Sequence, residues 1–186
     1  MVMIDLITGF LGSGKTTFLK KYAEYLMDQG LHIGILENDF GAINVDMLML
    51  HELRGDQCEL EMIAGGCDAE SHRRRFRTKL ISMRMCGYDR VLVEPSGIYD
   101  VDEFFDVLRE EPLDQWYEIG NVIAILDARL EKNLSQQADS LLIAAPSYCE
   151  TRYVYFVFLI LPVIIVCMLI EKEQNYGQDC SFDTML

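Results

Sequence analysis

The stretch Gly9-Phe10-Leu11-Gly12-Ser13-Gly14-Lys15-Thr16, GFLGSGKT, decides the fold of this chain. It fits the spacing G-x-x-x-x-G-K-[ST] at every fixed position, and each fixed residue type has a chemical reason. Glycines let the backbone wrap closely, so that successive N–H groups converge on a phosphate. A helix starting at the end of the loop adds the positive end of its dipole. Lys15 is then placed to bridge β- and γ-phosphate oxygens, and the Thr16 hydroxyl to ligate Mg2+. Gly9, Gly12, Ser13 and Gly14 form the cradle, with Thr17 in reach of the α-phosphate. The bland alternative is a chance match in an ordinary turn. It is disfavoured by the flanks, because the pattern needs a strand before it and a helix after it, and both are legible. Residues 2 to 8, VMIDLIT, are apolar and β-prone; from Thr16 to Gln29, Phe18, Leu19, Tyr22, Tyr25 and Leu26 share one helical face, and Gly30 closes the helix.

Working outward, residues 31 to 38 (LHIGILEN) read as a second strand, followed by an acidic loop and a mixed stretch through Met62. Residues 71 to 85 read as a helix, 89 to 95 as a buried strand ended by Pro95, 101 to 110 as a short helix and 121 to 128 as another strand, with a polar helix-like piece from 129 to 142. Nearly all-apolar strands alternating with helices indicate a parallel sheet covered on both faces. The fold class expected is therefore α/β, a P-loop NTPase with a mostly parallel sheet and helices on both faces. Two regions are expected: a nucleotide-binding domain at 1–145 and an atypical apolar tail at 146–186.

A formal net charge of −14 argues against non-specific nucleic-acid binding, which needs a positive surface. It fits a soluble, cytoplasmic protein. The start, MVMIDLITGF, has no basic lead-in and runs straight into the glycine loop, so no signal peptide is expected. Six cysteines, at 58, 67, 86, 149, 167 and 180, form no compact framework and read as thiols or metal ligands.

Turnover of a bound nucleotide needs Mg2+ held in place and a group that senses the γ-phosphate. Two stretches supply candidates. In ENDFGAINVD, residues 37 to 46, Asp39 leaves the second strand at the ligand-binding end of the sheet, where it either touches the metal or orients water, or belongs to a solvated turn. In VLVEPSGI, residues 91 to 98, Glu94 ends a buried apolar strand, which is costly unless the acid faces a charge or a metal. Glu94 thus suits the Walker B position, the alternative being a helix-capping acid. Gly97 is placed to offer its N–H to the γ-phosphate.

Together these motifs resemble the CobW-type P-loop GTPases, the nucleotide-dependent metal chaperones and metallocentre-insertion proteins related to HypB and UreG. TGFLGSGKTT stands at 8 to 17, Asn38-Asp39-Phe40-Gly41 with the later Asp46 resembles the family's first switch, Glu94-Pro95-Ser96-Gly97 its third G motif, and Asp127-Ala128 the end of its V-D-A strand. The resemblance covers roughly residues 2 to 142. It implies a protein that hydrolyses GTP with Mg2+ in metal-ion delivery or metallocentre assembly, with a metalloprotein client and a homodimer as partners. Lys15 and Thr16 would bind phosphate and Mg2+, Asp39 and Glu94 would complete the metal shell, and Gly97 would sense the γ-phosphate.

Two departures from the family pattern matter. Where the family carries a C-x-C-C thiolate motif, residues 65 to 72 read GGCDAESH, so Cys67 is the surviving thiol. Cys67 with His72, joined by Glu70 or Cys58, makes a candidate Zn2+ site; the alternative is a small buried cysteine beside a helix start. Where the guanine-reading N-K-x-D motif belongs, residues 141 to 156 read LLIAAPSYCETRYVYF. GTP thus follows from the resemblance, and a P-loop ATPase, a small-molecule kinase or a truncated non-catalytic nucleotide-binding module stays open as an alternative.

Two further stretches stand out. His72, Arg73, Arg74, Arg75, Arg77 and Lys79 share one helix, either as a solvated face pairing with nearby acids or as a docking patch. Residues 153 to 170 carry no charge. They read as a membrane span, as two central strands of the parallel sheet divided by Pro162, or as a tail foreign to the fold.

Overall fold

The structure is a computed structural model that describes residues 1–9, 12–39, 45–64, 69–95, 101–127, 153–160 and 163–171. Seven strands form one sheet: β1 (Val2–Gly9), β2 (Ile33–Asp39), β3 (Cys58–Ala64), β4 (Arg90–Pro95), β5 (Tyr117–Asp127), β6 (Tyr153–Ile160) and β7 (Val163–Glu171). Their spatial order is β3-β2-β4-β1-β5-β6-β7; all neighbours pair in parallel except β7, which runs antiparallel to β6 at the edge. The helices are α1 (Lys15–Asp28), α2 (Val45–Leu50) with a 3-10 turn at His51–Leu53, α3 (Ala69–Arg84), α4 (Val101–Leu108) and α5 (Leu113–Trp116).

Strand alternation splits the apolar residues between two cores. On one face Ile7, Ile35, Leu92, Ile123 and Ile125 meet Leu19, Ala23 and Leu26 of α1. On the other, Ile4, Leu6, Leu36, Val91, Val93 and Val122 meet Phe76, Leu80 and Met83 of α3 and Phe104, Phe105 and Val107 of α4. From β1 the chain crosses over α1 to one side of the sheet, and from β4 it crosses back past β1 to β5. The order of strands therefore reverses beside β1, and the C-terminal end of β1 lies at that switch point, where open α/β sheets bind ligands.

Several elements differ from the sequence reading. Strand β3 begins inside the stretch read as mixed and runs two residues past it, because Glu59 and Glu61 interrupt its apolar pattern; they bind the Tyr88 hydroxyl (2.5 Å) and Lys79 Nζ (2.7 Å) instead of entering a core. Strand β5 starts at Tyr117, not 121. Its Gly120-Asn121 pair looks like a turn but forms an irregularity against β1, whose register shifts between Ile4 and Leu6. The apolar run at 153–170 forms β6 and β7, divided at Pro162; β6 continues the parallel sheet, whereas β7 is antiparallel and marginal instead of central. Among the described residues, no helix is long and apolar enough to cross a membrane. The helix-like piece expected at 129–142 lies outside the described residues.

Candidate phosphate and cation site

The glycine loop runs from the end of β1 into α1. Gly9 has φ +143°, and a Cβ there would stand 2.3 Å from the Ile125 carbonyl oxygen of β5, so only glycine lets the strands approach this closely. Gly14 (φ 94°) turns the chain into α1, whose first bond runs from the Phe18 N–H to the Gly14 carbonyl at 3.0 Å. Ser13, Lys15 and Thr16 are buried, while Gly12 and Thr17 are exposed. Ser13 Oγ has no hydrogen-bond partner among the described residues, which suits a hydroxyl awaiting a ligand oxygen.

The Walker B candidate meets the loop. The Thr16 hydroxyl donates to Glu94 Oε1 at 3.0 Å across 78 residues of sequence. Both are almost fully buried, at 8% and 4% exposure. Glu94 thus meets the first turn of α1, where the loop ends. In the β2–β4 register Glu37 stands directly opposite Glu94, and Glu37 is only 3% exposed. Partners in a ladder point to the same face, here the α1 face: Ile35 and Leu92, two residues earlier on each strand, belong to the α1 core.

Glu37 is the residue that the sequence reading missed. The signal was available, since an acid closing the apolar run HIGIL is as costly as Glu94 is. Thr16, Glu94 and Glu37 make an all-oxygen donor set, which suits a hard cation such as Mg2+. Asp39 is the last residue of β2, opposite Ala64 of β3, at the same end of the sheet as Gly9. Gly97 lies outside the described residues.

The candidate zinc ligands are only partly placed. Cys67 lies outside the described residues. His72 is buried near the start of α3, with Nδ1 3.0 Å from Glu103 Oε1 on α4. Cys58 cannot join them. It begins β3 opposite Ile33, six residues and about 20 Å from the end that leads into α3. Burial also pushes its thiol up to about 11, which makes its thiolate costlier to form. Among the described residues, no three His, Cys, Asp or Glu side chains gather as a metal-binding group.

A second buried polar cluster lies lower on the same face. Asp5 of β1 is fully buried and accepts from Tyr22 Oη (2.8 Å), Arg90 Nη1 (2.7 Å) and the Asn121 N–H (2.7 Å). Asn121 Nδ2 donates to Tyr22 Oη at 2.9 Å. Burial and the Asp5 charge push Tyr22 up to about 12.

Residues 3–147 match the family model described as CobW/HypB/UreG, nucleotide-binding domain. Zinc chaperone YeiR of Escherichia coli K12 is 31% identical over 141 residues, covering 74% of this chain and 42% of the relative. Zinc chaperone YjiA of the same organism is 32% identical over 139 residues, covering 68% and 41%. The chain thus spans about two fifths of the length of these curated relatives. A crystal structure of the signal recognition particle receptor FtsY from Elizabethkingia anophelis superposes with a TM-score of 0.54 at 20% identity, covering 84% of this chain and 50% of that one. That likeness speaks to the fold alone.

Proposed function

We propose that this chain, which belongs to the CobW/HypB/UreG family of nucleotide-binding domains, binds GTP with Mg2+ and hydrolyses it in the service of metal-ion delivery or metallocentre assembly. The observation that carries the reading is the buried Thr16–Glu94 hydrogen bond at the mouth of the glycine loop, with Glu37 in register beside it. Two carboxylates and a hydroxyl at that end of the sheet are the donor chemistry that a hard cation takes. Thr16, Glu94 and Glu37 would hold Mg2+, and Asp39 is proposed to complete its shell or orient water.

In the reaction, a water oxygen bonds to the γ-phosphorus and the bond to the β–γ bridging oxygen breaks. Lys15 and the loop N–H groups from Gly12 to Thr16 would stabilise the charge that grows on those oxygens. Mg2+ held by Thr16, Glu94 and Glu37 would supply charge neutralisation to the phosphates. Gly97 is proposed to register the γ-phosphate. Zinc as the cargo is supported by the names of the two bacterial relatives, and guanine preference by the resemblance of the motifs to the family's GTPases. Cys67 and His72 are proposed as cargo ligands. For His72 the support is its Nδ1 contact with Glu103, the kind of carboxylate contact that orients a ligating imidazole.

Fluorescent GTP and ATP binding with Mg2+, on the protein and on Lys15→Ala, tests the reading. GTP should bind more tightly than ATP, and Lys15→Ala should weaken it by about 3 kcal/mol, roughly a hundredfold. Tighter ATP binding would move the protein to an ATPase or kinase class. A folded chain that binds neither would overturn the reading.

A further inference from the structure

Helix α3 carries cations on two flanks that meet different fates. Arg73 and Arg77 face α4 and share Glu110, with Arg73 Nη2 at 2.6 Å from Oε1 and Arg77 Nε at 3.1 Å from Oε2. That flank is paired within the chain at the surface. The other flank turns Arg74, Arg75, Thr78 and Lys79 toward Met62 and Ile63 of β3, enclosing a groove of about 520 Å³. Lys79 is held by Glu61, and Arg75, though exposed, also has an interaction within the chain, whereas Arg74 is exposed and has no ion pair among the described residues. A local cationic groove in a chain of net charge −14 is a contrast that selects partners. The groove also runs beside the end of the sheet. No strand lies beyond β3 among the described residues, and Met62 is 38% exposed there. An open strand edge is a template for a further strand.

We infer that this groove docks an acidic, extended segment of a partner protein, which adds as a strand beside β3 and sets its carboxylates on Arg74 and Arg75. Backbone pairing would supply affinity and the two guanidiniums register. A nucleic acid or an anionic membrane fits less well, because each presents broad negative charge to a protein whose surrounding surface is acidic. A single strand engages the groove alone. The site lies three strand positions from β1, about 14 Å across the sheet, so it is separable from nucleotide binding and does not depend on that reading.

The test uses the full chain and a fluorescein-labelled decapeptide of alternating glutamate and valine, followed by anisotropy. Alongside it run a lysine–valine counterpart, a copy N-methylated at alternate amides, phosphatidylserine vesicles and single-stranded RNA. The acidic peptide should bind, and Arg74→Glu with Arg75→Glu should weaken it at least tenfold while the urea midpoint stays unchanged. N-methylation should cost a similar factor, and the lysine peptide should not bind. The inference is overturned if the wild-type chain ignores the acidic peptide, or if charge reversal or N-methylation leaves its binding intact. It is equally overturned if vesicles or RNA bind through these arginines while the peptide does not.

Discussion

Asp5 in the middle of β1 and Glu94 at the end of β4 are both buried acids on the sheet face that α1 covers, yet their surroundings obey different charge arithmetic. Asp5 is matched by Arg90, and Tyr22 and Asn121 complete its hydrogen bonds. Even the missing Cβ of Gly120 belongs to this arrangement, since a methyl there would sit 2.3 Å from Asp5 Oδ1. Glu94 instead shares its row with a second carboxylate, Glu37, and Lys15 is the buried cation of the adjoining loop. One cluster closes on itself within the chain. The other gathers two acids and a hydroxyl at the end of the sheet where a helix begins. The difference separates a buried acid that serves the fold from one that is proposed to hold a cation.

Substitutions can break this comparison, and the largest effect belongs to Asp5. Asp5→Ala strands Arg90 in a half-buried position and should cost about 3 kcal/mol in urea unfolding, with the nucleotide affinity of the folded fraction unchanged. A comparable loss of affinity would mean that the two clusters are one unit. Glu37→Gln should act in the opposite sense. Relieving two in-register carboxylates should stabilise the nucleotide-free protein by about 1 kcal/mol, raising Tm by about 2–4 °C, while weakening nucleotide binding in the presence of Mg2+. A drop in Tm would place Glu37 in the structural class with Asp5.

Tyr22→Phe should have the smallest effect at neutral pH, about 1 kcal/mol. Its signature is alkaline. Because Tyr22 is raised from 10.0 to about 12, the folded state holds that proton more tightly. Its contribution is complete below about pH 10 and is lost as pH rises through 12. The phenylalanine variant should therefore show a shallower alkaline decline in unfolding free energy. Part of the decline will persist, because burial also raises Tyr88 and Tyr117.

Most of this was legible in the sequence where apolar periodicity and loop chemistry agree. The glycine loop announced its own strand and helix, and the unbroken apolar runs of β2 and β4 could only be buried. Legibility failed where a polar side chain answers to a distant partner. Glu59 and Glu61 hid β3, because their partners Tyr88 and Lys79 come from other elements. Gly120-Asn121 hid the start of β5, because the residue that explains it is Asp5, 115 positions earlier. Glu37 was passed over in favour of Asp39 although it closes an apolar run as Glu94 does; what the sequence could not show is its place opposite Glu94, a fact of register. The grouping of Thr16 with Glu94 was anticipated because the loop pattern demands an acid at the end of a neighbouring strand.

The Glu94 end of the sheet is proposed to hold a cation, and the Asp5 cluster is not. Calorimetric titration of GTP with and without Mg2+, on the wild-type chain and on Glu94→Gln, tests this most directly. Mg2+ should tighten GTP binding by at least about tenfold, 1.4 kcal/mol, in the wild type, and leave it nearly unchanged in Glu94→Gln, with binding of GTP alone preserved. An equal Mg2+ effect in both proteins would contradict the account and reduce Glu94 to another buried acid of the fold.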